Sequence, residues 1–147
     1  MSGRMWLVIG SALGGLAVLS GAFGAHFLPR LLEMSPQDSE FRIRADWFET
    51  AARYHMYHAL ALVALGLLAM WGERSAENEG IPAEASGQSM CDWISGIAFL
   101  LGILIFSGCL YTMAMTGERW LGRIVPIGGV SFVVGWFSLA VAGWRKK

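Results

Sequence analysis

Three histidines and the tyrosines beside them are the residues of this chain best suited to hold a metal, a haem or a proton. His55 and His58 are three residues apart, so on a helix they project to the same side. With His26 on a neighbouring helix they could ligate a metal or a haem, or they could bond carbonyls and hydroxyls between helices. The second role is favoured, because no CxxC, HExxH or intramembrane carboxylate accompanies them. Tyr54 lies one turn before His58, whereas Ala51 before His55 offers no side-chain partner, so the two histidines are expected to differ.

The composition is that of a small membrane protein. The chain has 147 residues, of which 55% are hydrophobic and 15% charged, and its mean hydropathy is +0.51. Charged residues are missing from four runs, and each run meets the length of roughly 20 helical residues that crosses a bilayer core. The sequence therefore predicts one all-α integral membrane domain over residues 1–147. It is a four-helix bundle with spans at about 5–27, 52–71, 93–115 and 124–144.

Tryptophan positions support these spans, because the amphipathic indole ring prefers the boundary between headgroups and hydrocarbon. Those at or just beyond the ends of the runs are Trp6, Trp71, Trp93, Trp120 and Trp144. The count of Lys and Arg leaves the orientation open, with five on the face that carries both termini and six on the other. The basic cluster at the C-terminus favours termini inside.

Two connections have distinct patterns. Ser35 and Pro36 resemble a helix start, and Phe41, Ala45 and Phe48 share one apolar face, which predicts an interfacial amphipathic helix over about 35–51. Alternation of charged and apolar residues over 40–47 is by itself typical of a strand, but a lone strand would lack a partner. Residues 72–92 are mostly polar and show no periodicity, which predicts a mobile loop without function.

The polar side chains of the spans are concentrated in one leaflet if the four spans alternate in direction. Polar groups in hydrocarbon are costly unless they are paired, so this asymmetry predicts a polar cluster or a ligand-binding site. No catalytic residue is assigned. The candidate residues are His26, His55, His58, Tyr54, Tyr57, Ser107, Cys109 and Tyr111.

Small residues within the spans predict close contact between helices, because they let two backbones approach each other. The first span has several small residues at four-residue spacing, and two adjacent glycines follow Pro126 in the fourth. The predicted packing positions are Gly10, Gly14, Gly21, Gly24, Gly108, Gly128 and Gly129.

Motifs in all four spans resemble the small membrane-protein family catalogued as domain of unknown function 423, akin to transmembrane protein 256. They are GAFGAH at 21–26, YHMYHALA at 54–61, FSGCLY at 106–111, TGERWLG at 116–122, PIGGV at 126–130 and GW at 135–136. The resemblance implies a four-helix integral membrane protein without an established activity. Cys109 stands where the family pattern has Ser, which argues against an essential hydroxyl at this position.

The resulting expectation is a non-enzymatic protein of the bacterial inner (cytoplasmic) membrane. It would bind a lipid, a quinone-like molecule or a partner helix, as an accessory subunit of a larger assembly or as a homo-oligomer. No cofactor is predicted, and the net charge of zero gives no indication of nucleic acid. One alternative is a redox protein with haem or metal on the histidines, and the other is a small homodimeric transporter that uses His in place of a carboxylate.

Overall fold

The computed structural model describes residues 3–80 and 89–145, and every regular element in that part of the chain is a helix. Four helical segments are long and apolar enough to cross a membrane. These first to fourth spans are Gly3–His26, Ser39–Asn78, Met90–Thr116 and Arg119–Trp144. The prediction of an all-α membrane protein with four spans is confirmed.

Shorter elements complete the architecture. A short helix, Leu28–Leu32, follows the first span. The third span consists of an α-helix at Met90–Gly102, a π-helical segment at Ile103–Ser107 and a second α-helix at Gly108–Thr116. A 3₁₀ turn at Arg119–Arg123 leads into the main helix of the fourth span, Val125–Arg145.

Contacts at one end of the bundle show that successive spans alternate in direction. Glu73, near the end of the second helix, accepts a hydrogen bond of 3.2 Å from the backbone N–H of Gly3 at the start of the first span. Trp6 packs edge-on against Trp93 of the third span with ring centroids 5.8 Å apart. The Ser138 hydroxyl of the fourth span donates to the Cys91 carbonyl at 2.9 Å. The start of the first span and the end of the fourth span therefore lie on the same side of the membrane.

The helix of the second span is the longest element and contacts both neighbouring spans. Its 40 residues extend about 60 Å at 1.5 Å per residue, roughly twice the thickness of the hydrocarbon core. A stripe of its buried residues recurs at alternating intervals of three and four, the 3.5-residue repeat of helices packed side by side. In order, this stripe is Phe41, Arg44, Phe48, Ala51, His55, His58, Leu62, Leu65 and Ala69.

The predicted interfacial helix at 35–51 is instead a turn followed by the beginning of this long helix. In the turn, the Ser35 backbone N–H donates to the Asp38 carboxylate at 3.0 Å, and the helix begins one residue later. Phe41 and Phe48 are only 8% and 6% exposed and, with Ala45, pack against the short helix and the third span. No Pro or Gly interrupts residues 39–65, and the apolar face is covered by protein, so the segment continues straight into the second span.

The ends of the predicted loop at 72–92 are also helical. The second helix continues to Asn78, because residues 73–77 include the good helix formers Glu, Arg and Ala. At the next helix start, Ser89 and Asp92 form a capping box with hydrogen bonds of 3.2 and 3.0 Å. The central residues 81–88, on which the prediction of a mobile loop depends, lie outside the described residues.

Several glycines lie where neighbouring helices touch. A Cβ atom at Gly10 would lie 2.7 Å from the Val63 backbone N, and one at Gly128 would lie 2.4 Å from the Phe106 backbone N. A Cβ at Gly24 would lie 2.7 Å from a ring atom of the second span. These distances are shorter than any ordinary carbon contact, so only glycine permits the observed approach.

The other predicted packing glycines differ. Cβ atoms at Gly14 and Gly129 would make ordinary contacts at 4.0 and 3.9 Å. At Gly21 and Gly108 no described neighbouring group lies within 4 Å of a Cβ, so these two glycines make no close contact between the described spans. Spacing alone cannot say which face of a helix meets a neighbour. Close contacts below 3.0 Å that the sequence analysis missed involve Gly3, Gly66, Gly96, Gly102 and Gly135.

Candidate functional site

His58 is enclosed by aromatic rings from the second, third and fourth spans and is 5% exposed. Its Nδ1 lies 2.7 Å from the Tyr54 carbonyl oxygen, and the Trp136 indole N–H donates to its Nε2 at 3.2 Å. Because indole can only donate, Nε2 is the acceptor, and Nδ1 carries the proton that it donates to the carbonyl. The imidazole stacks on Phe132 with centroids 3.4 Å apart. Both ring nitrogens therefore have partners within the protein.

His55 lies on the same face of the helix, is 7% exposed, and has different surroundings. Neither of its ring nitrogens has a hydrogen-bond partner among the described residues. The ring of Tyr111 meets it edge-on with centroids 6.3 Å apart. The contacts of the two histidines thus differ as expected, although His58 bonds the carbonyl of Tyr54 rather than its hydroxyl.

Two hydroxyl groups of the third span are buried near this level of the membrane. Ser107 is 1% exposed, and its hydroxyl has no partner in residues 3–80 and 89–145. Tyr111 follows one turn later and packs edge-on against Phe48 with centroids 4.9 Å apart. Its hydroxyl makes no hydrogen bond of ordinary geometry there, and Ser20 of the first span lies beside it.

A groove of ≈ 720 Å³ opens on the surface between the second and fourth spans, with His58 in its wall. Tyr54 and Tyr57 lie along it and are 40% and 54% exposed. Neither phenol hydroxyl has a hydrogen-bond partner among the described residues. The residues that line the groove are Tyr54, Tyr57, His58, Phe106, Pro126, Gly129, Val130, Phe132, Val133 and Trp136.

Two predicted site residues, His26 and Cys109, do not line the groove. His26 is the last residue of the first span and is exposed. Cys109 is a half-buried free thiol. In the described ranges no three His, Cys, Asp or Glu side chains are grouped so that they could hold a metal ion. The structure does not bring the three histidines together as one ligand set.

Arg44 is a buried polar residue that the sequence analysis did not single out. It is 9% exposed, its Nε donates to the Ala114 carbonyl at 2.7 Å, and its Nη2 donates to the Met115 carbonyl. These carbonyls end the third span, where the helix dipole is negative. Arg44 therefore attaches the start of the second helix to the end of the third span. Its place in the 3.5-residue repeat between Phe41 and Phe48 is the signal that could have revealed it.

Comparison with known proteins places these features in a family. The family model described as "Protein of unknown function (DUF423)" matches residues 20–129, which include every candidate site residue. The chain belongs to the DUF423 family. The resemblance carried by its motifs is thereby confirmed, and no solved structure matches the chain.

Relatives of this DUF423 protein share its length. A UPF0382 membrane protein of Staphylococcus saprophyticus is 34% identical over 97% of this chain and 98% of the relative. A UPF0382 membrane protein of Haemophilus influenzae is 32% identical over 97% and 95% of the two chains. The UPF0382 inner membrane protein YgdD of Escherichia coli is 29% identical over 100% and 95%. With four spans in the structure, this DUF423 protein is a multi-pass integral protein of the bacterial inner membrane, as predicted.

Proposed function

We propose that this protein is a non-enzymatic lipid-binding protein that holds one acyl chain of a phospholipid in the groove between the second and fourth spans. The observation that carries this proposal is the combination, in one groove, of an aromatic wall with two exposed tyrosines whose hydroxyls have no hydrogen-bond partner in residues 3–80 and 89–145. The first feature suits a hydrocarbon chain and the second suits a hydrogen-bond acceptor such as an ester carbonyl.

The wall of the groove is suited to an apolar occupant. Tyr54 packs on Phe106 with centroids 4.7 Å apart, and Phe106 packs on Phe132 at 5.6 Å, so the rings form a continuous surface. Gly129 contributes no side chain, which leaves space beside this surface. Because the groove opens sideways between two spans, an occupant can enter directly from the bilayer. These features support a ligand supplied by the membrane rather than by water.

Charges near one end of the groove support a phospholipid over an uncharged lipid. Arg53 is four residues before Tyr57, and Arg123 is three residues before Pro126. Arg53 faces Glu49 at 3.8 Å, but both side chains are more than half exposed, so this pair is weak. Exposed arginines near the end of a span attract the phosphates of headgroups. A phosphate there and an acyl chain in the groove would place the ester bonds near the tyrosines.

His58 supports a binding role rather than a chemical one. Its nitrogens are held by Tyr54 and Trp136, so neither is available to ligate a metal or to remove a proton from an occupant. Its ring, stacked on Phe132, contributes a flat face to the wall. The histidine thus fixes the rings that shape the groove.

The test fills the groove with a larger side chain. Val130 lines the groove and is 63% exposed, whereas Val134 is 46% exposed and does not line it, so Val134→Trp is the matched control for Val130→Trp. Each protein is purified in mild detergent, and bound phospholipid is identified by native mass spectrometry and quantified as phosphate per chain. We expect Val130→Trp to lower retention about tenfold, a loss of ~1.4 kcal/mol of binding free energy, and Val134→Trp to match the parent.

Three results would contradict the proposal. Equal retention by the parent and Val130→Trp would show that the groove is not the binding site. A quinone or another phosphate-free molecule released by Val130→Trp would show that the occupant was wrongly identified. A membrane protein that copurifies with the parent and is lost only from Val130→Trp would identify the groove as a contact for a partner helix.

A further inference from the structure

The pairing of the second and third spans brings His55 and Ser107 to the same level. Tyr54 packs on Phe106 with centroids 4.7 Å apart, and each is the residue immediately before one of this pair. Tyr111, one turn beyond Ser107, lies edge-on to His55 at 6.3 Å. The His55 imidazole and the Ser107 hydroxyl therefore lie at one level of two packed helices, and the Tyr111 ring lies beside the imidazole.

The hydroxyl of Ser107 differs from other hydroxyls in the spans. Those of Ser95, Thr112 and Ser131 donate to the carbonyl four residues earlier, at 2.8, 2.9 and 3.2 Å, and so need no other partner. Ser107 is the last residue of the π-helical segment and has no such bond in the described part of the chain. A π-helical turn shifts the carbonyls relative to the side chains and is frequent at functional sites.

His55 also lacks hydrogen-bond partners among the described residues, at both nitrogens of its ring. A neutral imidazole carries one donor and one acceptor on separate nitrogens, and a cationic one carries two donors. Burial of such groups in a membrane without partners is costly, and His55 is 93% buried by its exposed fraction of 7%. A partner able to donate and accept at once would satisfy the imidazole together with the neighbouring hydroxyls.

We propose that His55 and Ser107, with Tyr111 beside them, bind water within the membrane. A buried water makes about three hydrogen bonds to groups that lack other partners, which matches this combination of imidazole and hydroxyls. This site is separate from the lipid groove, whose histidine, His58, has both nitrogens paired within the protein.

The test is proton-detected solid-state NMR of the histidine-labelled protein in phospholipid bilayers, with magnetisation transferred from water to the ring nitrogens. His58 is the internal control, because it is as buried as His55 but already fully paired. We expect a water cross-peak at His55 and none at His58, with His55→Gln used to assign the resonance. Absence of the peak at His55, or equal peaks at both histidines, would refute the proposal.

A set of variants identifies the partners of the water. Ser107→Ala combined with Tyr111→Phe removes both hydroxyls while it keeps the rings in place, and it should abolish the water peak at His55. Ser131→Ala removes a hydroxyl that bonds its own helix, so this matched control should keep the peak. An unchanged His58 resonance confirms that each variant is folded. Persistence of the peak in the double variant would refute the proposed site, whereas its persistence in Val130→Trp would show that it is independent of the groove.

Discussion

Replacing Arg44 by Gln should be among the most destabilising single changes in this protein. Arg44 is 9% exposed, and its guanidinium donates to two carbonyls at the end of the third span, those of Ala114 and Met115. A hydrogen bond from a charged group contributes about 1.5–3 kcal/mol, and a cation at a helix C-terminus adds about 0.3–1 kcal/mol. Since Gln can keep one neutral bond, we expect a loss of about 3 kcal/mol in the free energy of unfolding.

The measurement is equilibrium unfolding in mixed micelles of mild detergent and sodium dodecyl sulfate, followed by tryptophan fluorescence. Arg42→Gln is the control, because Arg42 is exposed on the same helix two residues earlier and should change stability by no more than about 0.5 kcal/mol. Arg44→Lys should fall between the two, since an ammonium lacks the forked geometry of guanidinium. If Arg44→Gln and Arg42→Gln unfold at the same detergent ratio, the proposed attachment between the second helix and the third span is wrong.

Two further predictions concern packing and topology. Gly128→Ala should destabilise the protein by about 1–3 kcal/mol because its Cβ would lie 2.4 Å from the Phe106 backbone N, whereas Gly129→Ala, with 3.9 Å available, should cost less than half as much in the same unfolding assay. Single cysteines at Gln37 and Glu79, in a background without native cysteines, should react with an impermeant thiol reagent from opposite sides of the membrane. Equal losses at the two glycines, or labelling of both loops from one side, would contradict the structure.

The sequence by itself determined the number of spans. In hydrocarbon the backbone N–H and C=O groups of a charge-free run have no water to bond. A run of the required length therefore forms a helix that crosses the bilayer, because the helix pairs these groups with one another. It also predicted that one half of the membrane is polar, since spans that alternate in direction place the His and Tyr residues in one leaflet. The difference between His55 and His58 was expected from their neighbours, although the bond to a carbonyl was not.

The tertiary structure decided which of these polar side chains have hydrogen-bond partners within the protein. Trp136 and Phe132, distant in sequence from His58, complete its surroundings, and no local pattern predicts a bond across 78 residues. The same holds for Arg44, which a count of charges assigns to the membrane surface. Only its contact with two carbonyls of the third span makes burial of its charge possible.

Helix boundaries also depended on contacts between elements. The charged stretch over residues 39–51 is compatible with a strand, an interfacial helix or an extension of the second span when it is considered alone. Phe41 and Phe48 decide among them, because their face is covered by the short helix and the third span. Spacing along one chain gives the faces of each helix, whereas the neighbour that covers a face is a property of the packed bundle. For that reason the sequence predicted a polar leaflet, and only the structure separated His58, whose nitrogens are paired beside a groove, from His55, whose nitrogens have no partner among the described residues.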